Sequence, residues 1–177
     1  MASTFIGIDP GCEICGVSVI QNGIIVGAWN IPNEQVYSKI TSYVVMGCKI
    51  GVEDIRPYSM RLTPEIIKTC KVIGEMVYRL QVMAGCDVTL ISRGEIKKWV
   101  FDSFGEAIMP SISAKVAKKF PDRKPTFVFV DDRIVTIAMR SLFQIELPPP
   151  GKGYAHGLKD HSWQALAVAA YLKSSIS

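Results

Sequence analysis

No apolar run in the 177-residue sequence approaches the roughly 18 residues that a membrane span needs, so no membrane partner is expected. The opening MASTFIGID lacks a basic region followed by an apolar stretch and a cleavage site. No signal peptide is expected, and the cytoplasm is the default compartment. Strong charge of either sign is missing too. The net charge of +4 permits a nucleic-acid partner without demonstrating one. Internal repeats and low-complexity segments are absent. Cysteine is sparse: five residues, at 12, 15, 48, 70 and 86, an odd number without framework spacing, which argues against a disulfide scaffold. Cys12-Glu-Ile-Cys15 matches C-x-x-C, but a zinc site needs a second pair and none follows. A redox pair of the thioredoxin kind sits at a helix start, whereas a strand pattern follows here. Two small apolar residues lining a strand turn is the plainer reading. What the chain does have is a core. Apolar residues make up 49% of it, enough for one domain over 1–177 with little room for disorder.

Thr4 to Ile8 is a short apolar run that ends at Asp9-Pro10-Gly11, a turn signal. Cys15 to Ile20 and Ile24 to Trp29 read as strands joined by the hairpin signal Gln21-Asn22-Gly23. Asn33 to Met46 is helical in pattern, and Lys49 to Val52 is a strand ending on Glu53-Asp54. Thr63-Pro64-Glu65 starts a helix that runs to Met83 and stops at Gly85. Asp87 to Ile91 is a fifth strand. Ser92 then caps a helix from Arg93 to Phe101, with Glu95 placed for a capping box. Ser103 to Pro125 is the least defined stretch. Asp131 or Asp132 caps a helix to about Phe143, a Pro-rich loop spans 146–154, and the chain closes on a helix beginning in Lys159-Asp-His-Ser-Trp-Gln-Ala-Leu166. Three antiparallel strands followed by two strands separated by helices predict an α/β fold: one five-stranded mixed sheet with helices on both faces.

The acids fall at informative places. Asp9 ends the first strand and Glu53 ends the fourth, and both strands are apolar on both faces. Each carboxylate therefore sits where the sheet stops and a crevice begins. If these strands are neighbours, the two acids are side by side. Repulsion would raise the pKa of one of them unless a cation joined the pair, and Mg²⁺ takes such oxygen ligands. Two ordinary turn acids capping local N–H groups is the alternative.

Three motifs, in order, resemble the RuvC-type Holliday-junction resolvases of the RNase H-like fold, their phage-type members above all. These are Phe5-Ile-Gly-Ile-Asp9-Pro-Gly11, Val52-Glu53-Asp54-Ile-Arg-Pro-Tyr58 and His161-Ser-Trp-Gln164-Ala-Leu-Ala167. The resemblance covers nearly the whole chain. It implies a Mg²⁺- or Mn²⁺-dependent endonuclease of DNA recombination and repair, a homodimer that resolves four-way junctions by symmetric nicking. A phage-encoded protein acting in its host's cytoplasm would fit. By resemblance Asp9 and Glu53 are metal ligands and His161 and Gln164 complete the catalytic set. The departure is Gln164, where the family pattern has an acid; a hydrogen-bonding role with no part in holding the metal is its plainer reading. Asp160, four residues earlier on the same face, is a candidate to restore the charge as a metal ligand, or else a helix cap. His161 is a ligand or a base, and Asp132 is a further candidate. Gln164→Asp is expected to keep or raise activity.

Junction arms would need cations for their phosphates. Arg56, Arg61, Arg93, Lys97 and Lys98 lie near the expected active edge, and Lys115, Lys118 and Lys119 share a face if 111–119 is helical. Tyr58 and Phe101 are candidates for stacking on an unpaired base. The apolar stripe from Ile66 to Met83 is wider than one sheet face needs, which suggests a two-fold contact. Three other functions compete. An actin-like ATPase or sugar kinase shares the motif around Asp9 but needs two lobes and a second glycine-rich loop, absent here. A non-catalytic binder of branched DNA with a weakened metal site would explain Gln164. A nuclease for other branched or single-stranded DNA is a third.

Overall fold

A computed structural model describes residues 3–44, 48–56, 62–145 and 158–176. Its centre is a five-stranded sheet with strand order β3-β2-β1-β4-β5. β1 (Thr4–Pro10), β2 (Ile14–Gln21) and β3 (Ile24–Pro32) form an antiparallel meander. Asn22 and Gly23 turn the β2–β3 hairpin with φ of 52° and 83°, the backbone that an Asn-Gly hairpin favours. β4 (Lys49–Asp54) pairs parallel to β1, and β5 (Asp87–Ser92) pairs parallel to β4. The expected mixed sheet is the observed one, with most strands a residue or two longer than the apolar runs.

Helices cover both faces. α1 (Val36–Ile40) and α2 (Pro64–Tyr78) pack on one side with Ile6, Ile8, Val17 and Ile50. On the other side lie α3 (Arg93–Ser103), α4 (Gly105–Lys119), α5 (Asp132–Phe143) and α6 (His161–Ile176). α6 rests directly on β1 and β2. Gly7 and Gly16 make this possible: a Cβ on Gly7 would lie 1.9 Å from the Ala165 carbonyl oxygen, and one on Gly16 would lie 2.2 Å from that of His161.

Several boundaries differ from the sequence reading. The expected helix over 33–46 is a 3-10 turn at Asn33–Gln35, the short α1 and a second 3-10 turn at Thr41–Tyr43; Met46 lies outside the described residues. Ser38 Oγ and Thr41 Oγ1 donate to the Gln35 and Tyr37 carbonyls, local bonds that compete with a regular helix. The helix expected to reach Met83 turns π-helical at Arg79–Met83, then ends at Gly85 with φ of 64°. The least defined stretch, after Ser103, contains the 15-residue α4, which takes in the helix weighed over 111–119 and has Pro110 inside it. Ser92 and Glu95 form the expected capping box, and the Asp131 side chain, not that of Asp132, caps α5. The loop expected over 146–154 lies outside the described residues.

Candidate functional site

Register decides what meets at the sheet edge. Ile8 of β1 pairs with Val52 of β4, the last pair between these strands, so the next residues, Asp9 and Glu53, stand side by side where the two strands part. Both residues are nearly buried, at 7% and 4% exposure. They open into a cleft of about 520 Å³, whose far wall is the first turns of α5 and α6.

The start of α6 is held down by polar ties. Ser18 Oγ donates to the Ser162 carbonyl at 2.8 Å, and Asn30 Nδ2 donates to the Lys159 carbonyl at 2.8 Å. Ser162 Oγ accepts from Lys159 N–H at 2.8 Å, satisfying a backbone donor just ahead of the helix. The candidate cap Asp160 does not do this. It sits at φ of 42° just before α6, on the cleft rim, and its carboxylate bonds to no described residue. The ties aim His161 at the first strand: its Nδ1 lies 2.8 Å from Asp9 Oδ2.

Gln164, also nearly buried, turns the other way. Its Nε2 donates to the backbone carbonyl of Asp132 at 3.3 Å. Asp132 in turn hydrogen-bonds Arg93 through its carboxylate, and Arg93 Nη1 lies 3.6 Å from Glu53 Oε1. Gln164 thus braces the start of α5 against α6, a role that an amide donor fills and a carboxylate does not.

The electrostatics follow from burial and crowding. Burial, then the Asp9 charge, push the Glu53 carboxyl up to about 7, with Arg93 opposing and Asp132 adding to the rise. The hydrogen bond to Asp9 raises the His161 pKa against burial, helped by the charges of Asp9 and Asp160. Burial opposes the charge on Arg93, yet Glu53 and Asp132 hold its pKa above the usual value. Burial and the neighbouring Arg93 lower that of Lys97.

The structure therefore brings Asp9, Glu53, His161, Gln164, Asp160, Asp132 and Arg93 to one cleft. Among the described residues no three of His, Cys, Asp and Glu are gathered tightly enough to hold a metal by themselves. The Asp9–Glu53 pair is the most shielded set of oxygen donors in the cleft.

The expected phosphate contacts divide. Lys118 and Lys119 are exposed on α4 and line a second recess of about 550 Å³. Lys115, expected to act with them, is instead an internal clamp. Its Nζ donates to the Phe129 carbonyl at 2.9 Å and to Asp131 Oδ2 at 2.7 Å. Arg56 is 3.0 Å from Asp54 and 3.9 Å from Glu95, and Lys98 pairs with Asp102 one turn along α3. Phe101 is partly buried against the core, which leaves it little face for a base. Arg61 and Tyr58 lie outside the described residues. Arg133 was missed by the sequence reading, although it lines both the cleft and the Lys118–Lys119 recess. Its only signal is its place beside Asp132 in the first turn of α5.

No family model matches the chain, and no curated protein matches it in sequence. Solved structures do. The structure described as "T. thermophilus RuvC in complex with Holliday junction substrate" superposes with a TM-score of 0.58 at 15% identity, over 99% of this chain and 96% of that one. The chain has the RuvC fold. A second structure of RuvC from Thermus thermophilus gives a TM-score of 0.54 at 14% identity, again over 99% and 96%. The likeness spans the sheet and the helices on both of its faces, as an RNase H-like architecture requires. Among the described residues no helix is long and apolar enough to cross a membrane.

Proposed function

We propose that this chain is a metal-dependent, structure-selective DNA endonuclease that resolves four-way junctions by symmetric nicking. The observation that carries the reading is the Asp9–Glu53 pair at the sheet edge, with His161 hydrogen-bonded to Asp9, on a RuvC fold. One of the solved structures with this fold is named as a complex with a Holliday junction substrate.

The donor set suits Mg²⁺ or Mn²⁺. Burial first, and then the charge of Asp9, push Glu53 up to about 7, and a hard cation between the two carboxylates relieves both costs. Mg²⁺ commonly rests on one or two carboxylates and leaves its other positions to water and phosphate oxygens. Asp9 and Glu53 would hold it, and His161 and Asp160 stand at the rim. Bound there, a divalent ion would supply a more acidic water and charge to stabilise the leaving oxygen of a phosphodiester. The chain's own groups do the rest. Nδ1 of His161 lies 2.8 Å from Asp9, and a proton held on Nδ1 in that contact leaves Nε2 free to accept one. Asp9 fixes the ring as the orienting group of a general base. Arg93, Arg133, Lys118 and Lys119 supply positive charge along the cleft and its neighbouring recess for the DNA backbone. Gln164 keeps α5 in position.

A homodimer accords with two nicks related by symmetry. The outer surface of α2 and the turn after it exposes Ile67, Tyr78 and Val82, at 46%, 59% and 64%. An apolar patch of this kind is a candidate two-fold contact.

The test is incubation with a labelled synthetic four-way junction and Mg²⁺, beside duplex and forked DNA of the same sequence. Paired nicks confined to the junction support the reading. Junction binding without cutting in Mg²⁺ or Mn²⁺ favours the non-catalytic binder, and cutting of forks alone points to another branched substrate.

A further inference from the structure

The cleft contains a cation of its own. Arg93 follows Ser92 at the end of β5, and Ile91 pairs with Glu53 in the sheet, so Arg93 leaves the same edge as Glu53. Its guanidinium lies between two carboxylates. One arm is hydrogen-bonded to Asp132, which is anchored through its carbonyl by Gln164. The other arm stops 3.6 Å from Glu53, an ion-pair distance too long for a hydrogen bond. Arg93 thus neutralises Glu53 without being locked to it. Its side chain is 47% exposed and that of Asp132 is 63% exposed, so the pair has room to move into the cleft.

We infer that Arg93 is the resident counter-cation of Glu53 and competes with the divalent ion for that carboxylate. The inference rests on the metal-site reading above and deepens it. A divalent ion on Asp9 and Glu53 would stand a few ångströms from the guanidinium, where like charges repel. Loading the ion therefore displaces Arg93 from Glu53 while Asp132 keeps hold of it. The displaced guanidinium faces the mouth of the cleft, where a phosphate enters. Metal loading and phosphate capture become linked steps, with Gln164 and Asp132 as the hinge post.

The experiment is a Mn²⁺ titration of the full chain at pH 8 without DNA, followed by the electron paramagnetic resonance signal of free Mn²⁺. Arg93→Gln removes the charge and keeps a polar side chain. It is expected to bind Mn²⁺ at least about tenfold more tightly than wild type, since even in a water-like dielectric a +1 charge near a +2 charge costs that much. Arg93→Lys guards against a folding defect. Its shorter side chain withdraws charge from Glu53, so it is expected to tighten Mn²⁺ binding by a smaller factor. Thermal melting supplies an independent readout: Arg93→Gln is expected to melt below wild type without Mn²⁺ and to gain more from adding it. Wild-type binding with equal or weaker affinity in both variants overturns the competition while leaving the metal site intact. Absence of Mn²⁺ binding in wild type and variants overturns the competition and the metal-site reading together.

Discussion

Gly16→Ala tests how the site is positioned without touching any of its functional groups. Gly16 pairs with Asp9 across β1 and β2, and its missing side chain faces the start of α6. A methyl there would lie 2.2 Å from the His161 carbonyl oxygen and 2.7 Å from the Ser162 nitrogen. Ordinary contacts begin near 3.4 Å, so the first turn of α6 must lift by about 1 Å. Both partners are backbone, so no side-chain rotation relieves the clash. The His161–Asp9 contact at 2.8 Å would then exceed hydrogen-bond range, and the Ser18 and Asn30 ties would stretch with it. Overpacking of this kind costs roughly 1–3 kcal/mol of stability, which a single domain of this size can survive. Displacing a catalytic group by about 1 Å costs on the order of 100-fold in rate. Single-turnover cleavage of a four-way junction is expected to slow by about that factor, with junction binding and the melting transition retained. A folded Gly16→Ala protein that cuts at the wild-type rate would refute the view that α6 must lie on this glycine to place His161.

Four further outcomes follow from the same geometry. Without divalent ions the melting temperature is expected to fall as pH rises from 5 to 8. Glu53 and His161 both have folded-state pKa values above their ordinary ones, so their stabilisation is complete below the unfolded values and is lost as pH rises through the folded ones. Glu53 accounts for on the order of 3 kcal/mol, and Glu53→Gln should flatten most of the slope seen in melts across that range. Lys118→Ala and Lys119→Ala are each expected to reduce the salt dependence of junction binding by about one unit of log–log slope. Lys115→Ala should instead lower stability by roughly 1–3 kcal/mol in urea denaturation, because Phe129 and Asp131 lose their partner. Gln164→Asp, which the motif alone suggests would keep or raise activity, is now expected to lose stability by about 1–3 kcal/mol. It removes the donor to the Asp132 carbonyl and adds a nearly buried charge to a cleft that already holds Asp9 and Glu53.

The sheet was legible because its signals are local. Apolar runs, the Asn22-Gly23 turn and the Ser92–Glu95 capping box each act within a few residues. The adjacency of Asp9 and Glu53 was legible only on the condition that β1 and β4 pair, which they do. The partner of Gln164 was not legible, since it is a backbone carbonyl 32 residues earlier in the chain. The ion pairs of Arg93 were not legible for the same reason: the carboxylates that hold it come from β4 and α5. Lys115 shares its recess with Lys118 and Lys119, but only folding brings Asp131 within its reach. α1 fell short of its apolar pattern because Ser38 and Thr41 bond to nearby carbonyls.

The most direct test of the central claim is a comparison of wild type with Asp9→Asn on a labelled four-way junction in Mg²⁺, reading binding and cleavage in parallel. Asp9→Asn removes the charge that faces Glu53 and weakens the hold on His161, without removing any cation that faces DNA. Paired symmetric nicks by wild type, abolished in Asp9→Asn while junction affinity persists, are the predicted result. Undiminished cutting by Asp9→Asn would contradict the assignment of the cleft as the active site.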